Sequence, residues 1–213
     1  MQELINYFLA VFSALFFTID CLGMSPIFIM LTASGTNEYR RKMARKGSLT
    51  AFIILLFFAV TGSFVLDAFG ISLPAFRIAG GILLLLLAID MVMATNSPIR
   101  NENEEERQEN AQREDVSVFP IAIPLLSGPA AITILTLFMR QAQGIFVKQA
   151  IIILALVLNM FICWLVLVFS NQLSKMLGRT GINVITRIFG ILLTALACQF
   201  FIDGLIEAFK LNF

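Results

Sequence analysis

Apolar runs of about twenty residues, the length a helix needs to cross the roughly 30 Å hydrocarbon core of a bilayer, recur six times along the chain. They predict membrane helices near 4–34, 48–67, 71–94, 116–139, 148–170 and 181–208. The first run overruns a signal-peptide core and no basic stretch precedes it, so it reads as a retained span. Polar positions gather between the runs. Residues 36–47 (TNEYRRKMARKG) carry five basic side chains and one acid, and residues 95–115 (TNSPIRNENEEERQENAQRED) carry three basic and seven acidic ones. Both read as loops, the second as a flexible linker at the chain's midpoint. The expected fold class is an all-α membrane protein in which residues 1–94 and 116–213 are two three-helix units joined by the 95–115 linker.

Charge gives the six spans an orientation. The loops on one side hold Arg40, Arg41, Lys42, Arg45, Lys46, Arg100, Arg107, Arg113, Lys175 and Arg179, ten in all, against Arg140, Lys148 and Lys210 on the other. Positive charge stays inside, which puts the linker in the cytoplasm and both termini outside. Composition then excludes whole classes. Of 213 residues, 59% are apolar and 14% charged, with a net charge of +1 and no histidine; a soluble chain carries about 45–50% and 25%. No basic face for nucleic acid and no imidazole for metal binding or base catalysis are available. Cys21, Cys163 and Cys198 are odd in number and lie in apolar stretches, so they are expected to be small buried hydrophobes, and no metal or cofactor is expected.

The two halves echo one another. Arg77-Ile78-Ala79-Gly80 opens the third span and Arg187-Ile188-Phe189-Gly190 the sixth, 110 positions apart; Ser25-Pro26-Ile27 in the first span faces Gly128-Pro129-Ala130 in the fourth, 103 apart. With three spans per half, the second half must enter the membrane upside down, giving the inverted repeat common among secondary transporters. The first span of each half is irregular. A straight helix of residues 4–34 would measure roughly 46 Å, too long for the membrane core, so a break is expected within Asp20-Cys21-Leu22-Gly23-Met24-Ser25-Pro26. The fourth span contains Pro120, Pro124, Gly128 and Pro129. Proline removes a donor and frees a carbonyl, and such backbone survives in a membrane only where protein or a polar cavity surrounds it.

Ser25-Pro26 and Ser127-Gly128-Pro129 each read as a cap followed by proline at the first helical position, so each proline is expected to start a half-helix. Their N-terminal ends would face one another near the midplane and favour an anionic group. Asp20 precedes the first break, and the matching position in the second half is Ile123. Helix ends for a carboxylate beside one acid for an ammonium suit a small zwitterion. Asp20 equally suits a coupling proton or sodium ion, or a structural cap of the broken backbone. The substrate-binding candidates are therefore Asp20, Gly23, Ser25, Pro26, Ser127, Gly128 and Pro129. Arg77, Asp90, Arg187, Gln199 and Asp203 are candidates for gating or coupling, although the arginines also fit simple snorkelling, and Gln199 and Asn159 fit interhelical hydrogen bonds.

The segments Asp20 to Phe28 (DCLGMSPIF), Ala122 to Pro129 (AIPLLSGP) and Ile202-Asp203-Gly204 resemble the signature segments of the MarC family of bacterial and archaeal integral membrane proteins. Cys21 stands where proline is common in the family, and Ser127 and Ala130 where alanine and glycine are common. The resemblance implies six spans, a place in a broad group related to lysine exporters and, for some members, transport of glycine- or alanine-like amino acids. The expected function is a secondary transporter of small neutral amino acids in the cytoplasmic membrane, working by alternating access with proton or sodium coupling. The alternatives are a non-transporting accessory membrane protein and a channel for another small solute; an enzyme is not expected, since one deep carboxylate falls short of paired acid/base chemistry. The expected partners are lipid and a small zwitterionic substrate, with no nucleic acid and with a homo-oligomer left open.

Overall fold

The computed structural model describes residues 2–32, 35–93 and 115–209. Residues 94–114, and with them nearly all of the expected linker, lie outside the described residues. Among the described residues the chain is helical, without strands. The segments are α1 (Gln2–Ile19), α2 (Cys21–Leu31), α3 (Asn37–Ala68), α4 (Leu73–Met93), a π-wound segment α5 (Ser117–Leu126), α6 (Pro129–Gln141), α7 (Phe146–Val168) and α8 (Ser170–Phe209).

Among the described residues, five helices are long and apolar enough to cross a membrane: α1 with α2, then α3, α4, α7 and the stretch Thr180–Phe209 of α8. The expected fourth span is not a continuous helix. The residues before Pro120 and Pro124 are extended, Phe119 at φ −127°, ψ 124° and Ile123 at φ −122°, ψ 126°, because the proline ring crowds the preceding residue out of the helical region. The 13 residues of α6 make only about 20 Å of helix. In tandem, however, α5 and α6 follow α3 in parallel. A Cβ built on Gly47 would meet Ile121 at 2.6 Å and one on Gly62 would meet Thr136 at 2.5 Å, and beyond them Arg140 pairs with Asp67 at 2.6 Å. From residue 47 to residue 67, α3 rises about 30 Å.

Two further expectations need correction, and a third is met. The basic stretch 36–47 is not a loop: Thr36 caps α3 by accepting the Tyr39 amide proton at 3.2 Å, and the helix runs unbroken for 32 residues into the membrane segment. Lys and Arg are good helix formers, and an apolar helix already nucleated needs only one more hydrogen bond per added residue. The last span, Thr180–Phe209, agrees with the expected 181–208; a short helical stretch from Ser170 precedes it, set off by a kink at Gly178, whose φ of 64° is a conformation that glycine adopts without strain. Cys198 is exposed on α8, whereas Cys21 and Cys163 are buried as expected.

The helix ends sort to two faces. Lys46, early in α3, pairs with Asp115 before α5 at 2.8 Å, and Arg40 donates to the Thr32 carbonyl at the end of α2. Asp67 with Arg140, Arg77 with Glu207, and Lys148 over the Tyr7 ring gather the ends of α3, α6 and α8 with the starts of α1, α4 and α7. The core between the faces is built on Leu15, Ile19, Leu55, Leu84, Ile134 and Leu156, all fully buried, while Ile53, Phe57, Phe64, Leu154 and Phe161 point outward. Apolar side chains outside as well as inside are the signature of a lipid solvent.

Small residues set the closest approach. α4 and α8 run antiparallel: a Cβ on Gly204 would stand 3.0 Å from the Pro74 carbonyl, one on Gly81 2.9 Å from that of Ala197, and one on Gly190 3.0 Å from that of Ala88. Lipid provides no hydrophobic force between helices, so such backbone contacts carry their association. Asn159 of α7 donates to the Phe12 carbonyl of α1 at 3.3 Å, an interhelical bond of the kind expected.

Candidate functional site

The first break falls at Asp20. It adopts φ 44°, ψ 56°, a left-handed conformation that costs most side chains roughly 1–2 kcal/mol and that aspartate tolerates because it bonds locally. The break is confined to this residue. Its N–H closes the last turn of α1 on the Phe16 carbonyl at 3.1 Å, and its own carbonyl accepts from the Met24 amide at 3.1 Å. One carboxylate oxygen accepts the Gly23 amide proton at 3.1 Å, capping α2. The side chain is completely buried, and a carboxylate in a membrane interior persists only with such partners.

Gly23 makes room for that carboxylate. A Cβ there would lie 2.1 Å from Asp20 Oδ2 and 2.9 Å from Thr186 Oγ1 of α8. Thr186 was not singled out by sequence reasoning. Its hydroxyl is buried and, among the described residues, has no hydrogen-bond partner. The one available signal was its place next to Arg187 in the repeated segment, where the arginine drew the attention. Three residues on, Phe189 packs against Phe16 and Phe17 with ring centroids 5.5 and 4.9 Å apart, so α8 covers the break from that side. Cys21 lies in reach of Cys163 on α7.

The expected start of the second half-helix at Ser25-Pro26 is incorrect. The helix begins five positions before Pro26, at Cys21, and Pro26 lies inside it. Pro26 cannot donate to the Leu22 carbonyl four residues back; the Ser25 hydroxyl does so instead, at 2.8 Å. Ser25 thus repairs the gap that proline leaves rather than capping a new helix.

At the second break the expected start is correct. Pro129 is the first residue of α6 and Gly128 its extended cap, φ −68°, ψ 166°, with no side-chain hydrogen bond at the cap. Ser127 is buried but does not cap; its hydroxyl donates to the Ala122 carbonyl at 2.7 Å, which the Ser127 amide also reaches at 2.9 Å. The 103-residue offset pairs Asp20 with Ile123, and both depart from helical geometry, one by a left-handed turn and the other by the constraint of Pro124. α2 packs mainly on α8, α1 on α7, α7 on α3 and α1, and α6 on α3 and α4. The helix starts at Cys21 and Pro129 therefore have different principal neighbours.

The gating candidates are dispersed. Arg77 pairs with Glu207 at 2.7 Å, near the start of α4 and the end of α8. Gln199 donates to Asp203 one turn along the same helix at 2.7 Å, not across helices. Arg187 is exposed and Asp90 half-buried, and no ion pair joins either to another candidate among the described residues.

Comparison with known proteins supplies the lineage. The model of the MarC family integral membrane proteins matches residues 5–209. The UPF0056 membrane protein MJ1677 of Methanocaldococcus jannaschii is 38% identical over 94% of this chain and 97% of its own length. A UPF0056 membrane protein of Archaeoglobus fulgidus is 37% identical over 95% and 94%, and YhcE of Escherichia coli 36% identical over 91% and 89%. No solved structure matches the chain. Matched along nearly its whole length and built of membrane-spanning helices, the chain belongs to the MarC family of integral membrane proteins.

Proposed function

We propose that the protein is a secondary transporter of small neutral amino acids in the cytoplasmic membrane, its two halves forming an inverted repeat that alternates access around the breaks at Asp20 and at Ile123 to Pro129. The observation that carries this reading is a fully buried aspartate at a left-handed break in a membrane helix, beside a threonine hydroxyl of α8 that has no hydrogen-bond partner among the described residues. Ionisable groups are rare at such depth, and broken helices near the midplane are where secondary transporters bind substrate and ion. The antiparallel packing of α4 on α8 supports the inverted arrangement, since it is what opposite insertion of the two halves requires.

In this mechanism Asp20 Oδ1 stays on the Gly23 amide while Oδ2, beside Thr186, takes the ammonium of a zwitterion or the coupling proton or sodium ion. The α6 N-terminus, capped by Gly128 without a side chain, presents its amides to the substrate carboxylate. Arg77 and Arg187 are assigned to the interface, with Arg77 anchoring the ends of α4 and α8. The test is flux in reconstituted vesicles with labelled glycine and alanine under proton and sodium gradients. Saturable, gradient-driven uptake that Asp20→Asn abolishes supports the proposal. Wild-type flux in that variant removes Asp20 from the mechanism, and movement of neither amino acid refutes the substrate assignment.

The cap that Asp20 makes on Gly23 also fits a purely structural break, which favours the second reading: an accessory membrane protein, or a channel whose broken helices line a pore. A channel would show non-saturating flux without dependence on a coupled gradient.

A further inference from the structure

The start of α3 and the end of α7 enclose a groove of about 590 Å³, lined from α3 by Arg41, Lys42, Arg45 and one acid, Glu38, and from the α7 side by Trp164 and Phe169. Arg45 and Trp164 are shared with a second cavity of about 210 Å³ further along the same two helices, whose other walls include Leu49, Phe52, Met160 and Phe161. The groove is therefore continuous: cationic where α3 projects beyond its apolar segment and almost wholly apolar deeper in. Its polar atoms are not all satisfied. Among the described residues, the Ser48 hydroxyl, on a side chain 4% exposed, and the buried Trp164 indole N–H have no hydrogen-bond partner. Both line the apolar cavity immediately below Arg45.

We infer that this α3–α7 groove is a binding site for an anionic phospholipid. A phosphate headgroup is held by Arg41, Lys42 and Arg45, whose charges outnumber Glu38, while an acyl chain lies along Leu49, Phe52 and Phe161. The residue order along the groove, cations first and then apolar walls, is the order of chemical groups along such a lipid. Basic pockets between membrane helices on the cytoplasmic side recognise anionic headgroups on the same principle. The charge count along the sequence puts this end of α3 on the cytoplasmic face, where a negative surface potential concentrates the ligand. This site is separate from the Asp20 break and does not rest on the proposed transport activity.

The experiment is lipid binding to the purified full-length protein by native mass spectrometry, with thermal stability in neutral-lipid nanodiscs doped with phosphatidylglycerol as the second readout. Phosphatidylglycerol should bind in preference to phosphatidylcholine and raise the melting temperature. Each of Arg41→Gln, Lys42→Gln and Arg45→Gln should weaken the preference by roughly fivefold, the effect of one basic charge at a membrane surface. Trp164→Ala, which removes the wall shared by the two cavities, should weaken binding of both lipids and leave the preference for the anionic one. Lys148→Gln, on the opposite face, should change nothing. Equal binding of the two lipids, an unchanged preference in the triple glutamine variant, or the same stabilisation by glycerol phosphate as by the intact lipid would overturn the assignment, the last because it leaves the apolar groove without a role.

Discussion

Replacing Gly23 by alanine sets two effects of opposite sign against each other. Alanine is favoured over glycine in a helix by roughly 0.8–1.0 kcal/mol. Against this, the added Cβ would stand 2.1 Å from Asp20 Oδ2 and 2.9 Å from its Cγ, distances no side chain tolerates, so the carboxylate must leave its position on the Gly23 amide. Loss of a helix cap costs about 1 kcal/mol and forced repacking of a tight interior another 1–3 kcal/mol. The net result is a destabilisation of about 1–3 kcal/mol. The decisive comparison is the same substitution in an Asp20→Ala background. There the clashing atoms are gone, and the remaining close neighbour, Thr186 Oγ1 at 2.9 Å, ends a side chain that can rotate. Gly23→Ala should then be neutral or stabilising, giving a coupling energy of about 2 kcal/mol, in the range for residues in direct contact. Reversible unfolding in mixed micelles, followed by the fluorescence of the single tryptophan, Trp164, measures all four corners of the cycle. An equal cost of Gly23→Ala in both backgrounds would refute the claim that this glycine exists to accommodate the Asp20 carboxylate.

Other parts of the structure give independent tests. Lys46 and the Ser117 hydroxyl and amide hold the Asp115 carboxyl down to about 2. A depressed folded-state value means that its contribution is complete above the unfolded value of about 3.9 and is lost as pH falls through about 2. Because both side chains of the Lys46 pair are nearly half exposed, the gain stays below about 1 kcal/mol and shrinks in salt; Asp115→Asn should flatten the stability profile in that window, and an unchanged slope would show the pairing absent in solution. Gly81→Leu should destabilise by about 1–3 kcal/mol or more, since the atoms in its way, the Ala197 carbonyl at 2.9 Å and the Phe201 amide at 3.0 Å, are backbone. The neighbouring lipid-facing change Ile82→Leu should be neutral, and similar melting shifts for the two would count against the close α4–α8 contact. Asn159→Leu removes the bond from α7 to the Phe12 carbonyl and should cost about 0.6–2 kcal/mol in the same unfolding assay.

Hydropathy alone determined where this protein resides and the approximate course of its helices, because a lipid solvent demands long apolar runs and internally satisfied backbone. Proline placed the second break correctly: the constraint on Phe119 and Ile123 is a property of neighbours in sequence, and Pro129 at a helix start is equally local. The first break was legible to within a few residues but not in its form. Ser25-Pro26 has the local chemistry of a helix start, yet Asp20 takes that role, because a left-handed aspartate is stable there only with Gly23 leaving space and α8 closing over it. Thr186 reaches the candidate site through that packing, and its one local mark is its place beside the repeated Arg187. The partner of Arg77, 130 positions away, and the extension of α3 through its basic stretch were likewise beyond pattern reading. Local rules act over a turn of chain; which distant surfaces meet depends on how closely glycines let helices approach, and only the tertiary structure decided that.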